Sequence, residues 1–123
     1  MERIAERLAD CRGLVFAMLY GSAATGEDFR DIDVAVWVDR SLVPAAQDVD
    51  YAFDVADMLE KVVPYRVDVR VINDAPLPFR YNVSRGVALV VNDRAAYVRF
   101  LERTWDDYLD FEPIAMQYLR DLA

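Results

Sequence analysis

Two aspartates, Asp31 and Asp33, open an alternating run, DIDVAVWVD, at residues 31–39. Residues two apart on a strand project from one face, so the two carboxylates stand side by side. Like charges at that range repel, and the pair is tolerated only if it faces solvent or if a cation sits between. A third acid, Asp68, lies in a second alternating run, RVDVRVIN, at 66–73. It reaches the same place if the two strands are neighbours. Three carboxylates in a cleft make a hard oxygen site for Mg2+, which takes its remaining ligands from substrate phosphates. Upstream, Gly21-Ser22 follows the apolar run LVFAMLY. A glycine at a strand end lets backbone approach a ligand. A helix starting there would aim free N–H groups and the Ser22 hydroxyl at a phosphate. A phosphate cradle beside cation-holding acids is the minimum kit for phosphoryl or nucleotidyl transfer, where positioning and charge neutralisation carry most of the catalysis. Each part alone has a plainer reading. The Asp pair could be a solvated strand start, Ser22 a simple helix cap, and Asp68 an unrelated surface acid; the combination is what carries weight.

The elements that must position these residues follow from periodicity. Residues 2–10 read as a short amphipathic helix with Ile4, Leu8 and Ala5 inward. Residues 14–20 read as a strand, and 22–30 as a polar, turn-rich segment. In the strand at 31–39, Ile32, Val34, Val36 and Val38 share one face. Pro44 precedes a helix over about 45–63 whose apolar stripe is Val49, Ala52, Phe53, Ala56, Leu59 and Val63. Its acids, Asp48, Asp50, Asp54, Asp57 and Glu60, fall on the opposite, solvated side. Pro64 stops it. After the strand at 66–73, PFRYNVSRG suggests a short helix closed by Gly86, and VALVVN at 87–92 a further strand. Asp93 is a good cap for a long helix from about 94 to 109. The FEP tripeptide should break that helix, leaving a last short one at 113–122. The long helix carries Tyr97, Leu101, Thr104 and Tyr108 at helical spacing, with Phe100, Trp105, Leu109 and Phe111 around them. So broad an apolar face suits the core, a partner, or a second copy of the chain. The expected fold is α/β: one domain over residues 1–123, with a small mixed sheet flanked by helices.

Composition narrows the chemistry. The chain has 123 residues, 55% of them hydrophobic, which is enough for a core without staples. Histidine is absent, which removes Ser-His-Asp triads, Cys-His dyads and histidine-ligated zinc. The net charge of −8 disfavours broad contact with nucleic acid backbones. It suits a basic protein partner or a site that gathers cations. Cys11 is the single cysteine, so no intrachain disulfide forms, and a reducing cytoplasm is the expected location. No apolar run has the length of a membrane helix.

YGSAATGEDFRDIDVAVWV followed by RVDVRVI resembles the nucleotidyltransferase fold of the DNA polymerase β superfamily in its minimal version. That motif is Gly-Ser, a spacer, Asp-x-Asp and a third Asp. The remainder, NDAPLPFRYNVSRGVALVVNDRAAYVRFLERTWDDYLDF, is similar to the C-terminal half of minimal nucleotidyltransferase antitoxins, which are paired with HEPN-domain ribonuclease toxins. The resemblance implies that Gly21 and Ser22 contact the triphosphate of ATP. It implies that Asp31 and Asp33 hold Mg2+, and that Asp68 completes the metal and catalytic site and helps activate the acceptor hydroxyl. The implied reaction moves AMP from ATP onto a tyrosine of the toxin and blocks it. Two departures stand out. The spacer between Ser22 and Asp31 is eight residues, shorter than the family usually has, and Thr25 occupies a position that is commonly basic. Arg30 is a candidate substitute for that cation. A binding-only antitoxin on the same scaffold and a small-molecule nucleotidyltransferase remain the alternatives.

Overall fold

The most completely buried strand lies in the middle of the sheet, covered on both faces. The computed structural model describes residues 1–26 and 29–122; Glu27 and Asp28 of the polar spacer and the C-terminal Ala123 lie outside it. The chain runs α1 (Glu2–Ala9), β1 (Leu14–Tyr20), α2 (Ser22–Thr25), β2 (Asp31–Val38), α3 (Asp48–Glu60), β3 (Arg66–Val71), α4 (Leu77–Ser84), β4 (Val87–Val91) and α5 (Arg94–Leu122). Sheet order is β3-β2-β1-β4. β1 pairs antiparallel with β2 and β4, and β2 pairs parallel with β3. The mixed sheet and its flanking helices are those expected from the sequence.

One face of the sheet packs on α1 and α3. Ile4 and Leu8 of α1, with Val55, Ala56 and Leu59 of α3, meet Ile32, Val34, Val36, Val67 and Val69. The other face packs on α4 and α5, where Phe16, Met18, Tyr20 and Ala35 meet Val83 and Phe100. β1 has no polar alternation because it is covered on both sides. A register irregularity between Leu14 and Phe16 lets Leu14 join the first layer and Phe16 the second.

Three expectations are corrected. The chain from Arg94 to Leu122 is one helix, with Pro113 inside it. Proline removes one backbone N–H and its bond. Here that turn is solvated, with Leu109 and Ile114 exposed, so water can take the freed carbonyl. In α3, Val49 and Phe53 are not core: each is 66% exposed. The helix lies over an edge strand, so part of its apolar stripe overhangs the sheet. Val55 takes their place inside, and Val63 falls beyond the helix end, half-buried against the core. Gly86 follows Arg85, the α4 cap, without a left-handed backbone. Its glycine is required for another reason, because any Cβ there would collide with the Leu19 carbonyl oxygen of β1.

Hydrogen bonds by side chains lock the ends of these elements. Asn73 accepts from the Val38 amide at 2.9 Å and donates to the Val38 carbonyl at 2.8 Å, extending the β2–β3 pairing by one residue. Arg40 grips both oxygens of Asp48 at 2.6 and 3.0 Å and reaches Asp74 at 2.9 Å, joining the end of β2 to the start of α3. Asp93 caps α5 by accepting from the Ala96 amide at 3.2 Å.

Candidate active site

The site is built where β1 ends and β2 begins, on the α4/α5 face of the sheet. Tyr20 is registered against Asp33, and Asp33 against Asp68. The assumption that β2 and β3 are neighbours therefore holds. Asp31 lies one pleat before Asp33 on the same face. Only Asp33 is partly buried; Asp31 and Asp68 are exposed. The Asp33 carboxyl is pushed above its ordinary value, first by burial and then by the charges of Asp68 and Asp31. Arg70 works against that rise, and its Nε lies 3.5 Å from Asp68 Oδ2. With both partners more than half exposed, that pair contributes little to stability.

Gly21 sits against this acid. Its φ of +76° lies in the region that favours glycine, and a Cβ built on it would stand 2.5 Å from Asp33 Oδ2. The backbone of the candidate phosphate cradle and the partly buried Asp33 carboxylate therefore come into close contact through this residue. Gly21 caps α2, and its carbonyl accepts from the Ala24 amide at 3.1 Å. Ser22 opens that short helix, and the Thr25 hydroxyl donates to the Ser22 carbonyl at 3.0 Å. Tyr20, just before, is held edge-on to Phe79 with ring centres 5.4 Å apart. Burial and the neighbouring acids push its hydroxyl up to about 12, so it stays protonated at neutral pH.

Arg85 and Asn82 are residues that the sequence pattern did not single out. A hollow of about 310 Å3 is lined by Gly21, Ser22 and Thr25 on one side and by Asn82, Arg85 and Gly86 on the other. It carries a cation beside the Gly-Ser turn, although Thr25 is not basic. α4 holds these residues there because it is pinned to α5. Ser84 donates to the Tyr81 carbonyl at 2.6 Å and accepts from Trp105 Nε1 at 3.1 Å. Arg80 reaches Thr104 and Asp107, each at 3.4 Å. Tyr81 and Tyr108 stack with centres 3.7 Å apart, and the Arg85 guanidinium lies 5.9 Å from the Tyr81 ring centre. The only local hint of Arg85 in the sequence is its place before Gly86.

The donor set suits Mg2+. Among the described residues no three acidic, histidine or cysteine side chains come together closely enough to hold a metal ion by themselves. Mg2+ is typically bound by one or two carboxylates, with waters and phosphate oxygens completing its shell. A cation beside Asp33 would offset the repulsion from Asp68 and Asp31 that raises its carboxyl.

The sequence pattern of the polymerase beta nucleotidyltransferase family matches residues 2–95. The chain belongs to this nucleotidyltransferase family. Solved structures agree with that fold over nearly the whole chain. A chain of a toxin–antitoxin complex with AMP-PNP matches with a TM-score of 0.73 at 20% identity, covering 98% of this chain and 97% of that one. A chain of the complex of tri-AMPylated Shewanella oneidensis HEPN toxin with MNT antitoxin matches at 0.68 and 19%, covering 99% and 98%. A chain of the MntA–HepT toxin–antitoxin matches at 0.66 and 19%, covering 98% and 95%. At these identities the likeness establishes the fold. A search of curated protein sequences found no match. Among the described residues no helix of this nucleotidyltransferase-fold chain is long and apolar enough to cross a membrane.

Proposed function

We propose that this chain is a Mg2+-dependent adenylyltransferase that moves AMP from ATP to a tyrosine of a HEPN-domain ribonuclease and silences it as an antitoxin. The observation that carries the reading is the placement of Asp33 directly opposite Asp68, with Gly21 backed against Asp33. Structures of the same fold that contain AMP-PNP or an AMPylated HEPN toxin support the choice of nucleotide and partner.

Each residue then has a role. The backbone at Gly21 and the Ser22 hydroxyl hold the outer phosphates of ATP, and Arg85 supplies the cation beside them. Asp31 and Asp33 would hold the metal, with Asp68 completing the set. Bound Mg2+ would neutralise the triphosphate and orient its α-phosphate. Asp68 lies outermost, on the side from which an acceptor arrives, and takes the proton of the attacking hydroxyl. The hydroxyl oxygen bonds to the α-phosphorus, the bond from that phosphorus to the bridging oxygen breaks, and pyrophosphate leaves. Tyr20 stays neutral and packs behind the site against Phe79. An added adenylate gives the partner bulk and negative charge where it must accept RNA.

ATP labelled on its α-phosphate tests the reading, with a HEPN-domain partner, Mg2+ or EDTA, and either wild-type protein or Asp31→Ala/Asp33→Ala. Label should enter the partner only with Mg2+ and wild-type protein. Thr25, with its hydroxyl engaged by the Ser22 carbonyl where a cation is common, favours a second reading. In that reading the protein blocks its partner by contact alone, and no label appears although binding persists.

A further inference from the structure

A second, apolar recess lies apart from the phosphate pocket. It is a groove of about 380 Å3 along the outer edge of the sheet, between α3 and β3. Val49, Ala52 and Phe53 form its helix wall, and Val67, Val69 and Asp68 its strand wall. Phe53 and Val49 are far more exposed than core apolar residues, on a helix that is otherwise acidic on its outer side. β3 is the last strand of the sheet. The direction of its free backbone groups can be worked out. The Ile72 amide donates inward to the Val36 carbonyl of β2, whereas the Val67 amide donates to the Glu60 carboxylate at 3.3 Å. With a strand period of two, the even residues of β3 bond to β2 and the odd ones face the free edge: the Val67 amide is held there by Glu60, and Val69 and Val71 aim N–H and C=O outward. An edge of that kind is a template for an added strand.

Asp68 is common to the groove and to the candidate active site. A residue placed opposite Asp68 on an added strand would project to the α4/α5 face, where Asp33 lies, with its Cβ about 5 Å from that of Asp68. The residues before and after it would project to the other face, against Phe53 and Val49. We infer that the β3 edge and the α3 groove form the acceptor subsite: they bind an extended segment of the modified protein as a fifth strand, with its acceptor tyrosine opposite Asp68 and apolar neighbours in the groove. This rests on the transferase reading above and specifies its acceptor. The occupant is a tyrosine between apolar residues in an extended segment. Flanking basic residues would complement the exposed acids Asp50, Asp54 and Asp57 of α3. Transfer proceeds as before: the tyrosine oxygen bonds to the α-phosphorus, pyrophosphate leaves, and the proton passes to Asp68.

The probes are three short peptides with lysine at both ends and one central tyrosine. In the first the tyrosine is flanked by valines, in the second by serines, and the third is the valine peptide with N-methylated backbone amides. AMP transfer to each is followed by mass spectrometry, and Mg·ATP affinity is measured separately. The valine peptide should be labelled. The serine and N-methyl peptides should lose about tenfold in kcat/KM, the scale of one or two net hydrogen bonds or a buried side chain. Phe53→Glu should raise KM for the valine peptide by about tenfold and leave kcat and ATP affinity in place. Because Phe53 is exposed, that variant should fold, and circular dichroism checks it. Equal labelling of all three peptides, or an unchanged KM in Phe53→Glu, overturns the groove assignment and leaves the transferase reading standing. ATP binding with no labelling of any peptide does the same. Failure to bind Mg·ATP at all overturns both.

Discussion

Gly21, Asp33 and Arg85 carry the account at the scale of single residues. Gly21→Ala should cost about 1–3 kcal/mol in backbone strain and push a methyl group onto the Asp33 carboxylate. Denaturant titration should therefore find a less stable protein, and calorimetry one with weakened ATP binding. Arg85→Ala should weaken Mg·ATP binding by roughly 10- to 100-fold, the scale of a lost charge-assisted hydrogen bond, with folding stability unchanged; Arg85→Lys should recover part of it. At Cys11, burial first and Asp10 second push the thiol above its ordinary value. Alkylation by iodoacetamide should thus be slower than for a free thiol at mildly alkaline pH and climb only as pH passes the ordinary thiol range. Gly21, Ser22, Asp31, Asp33 and Asp68 could be read from the sequence because each is tied to a strand end or a two-residue period. Arg85 could not, since tertiary docking of α4 beside the end of β1 brings it to the pocket and no local period marks it.

The elements divide into a core that tolerates little and two features that stand clear of it. Leu59 of α3 is fully buried in the core layer on the α1/α3 face. Leu59→Ala should cost about 2–5 kcal/mol in a denaturant titration. Deleting residues 114–122 should change stability by on the order of 0.5 kcal/mol or less, because Ile114, Met116, Tyr118, Leu119 and Leu122 are all exposed. The strands were legible from alternation, and β1 from its unbroken apolar run. Sheet order was not, and the misreading of α3 follows from that. An apolar stripe predicts burial only where a sheet lies beneath it, and here the sheet ends at β3. Pro113 misled for a related reason. A proline inside a helix costs a hydrogen bond and a steric clash, but around Pro113 the helix is exposed and solvent can satisfy the freed carbonyl.

The whole molecule combines a net charge of −8 with a proposed cation site and a proposed partner that handles RNA. Association with an electropositive HEPN partner should be steered by charge, so its on-rate should fall as ionic strength rises while the dissociation rate changes less. On the proposed reading, the phosphate turn, the acids and the edge groove bring ATP and a protein hydroxyl together. The intact mass of a HEPN partner co-expressed with this protein tests that claim most directly. With wild-type protein the partner should gain one or more adenylate units, and with Asp31→Ala/Asp33→Ala it should gain none. An unmodified partner that still binds both versions tightly would contradict catalysis and leave an antitoxin that acts by contact.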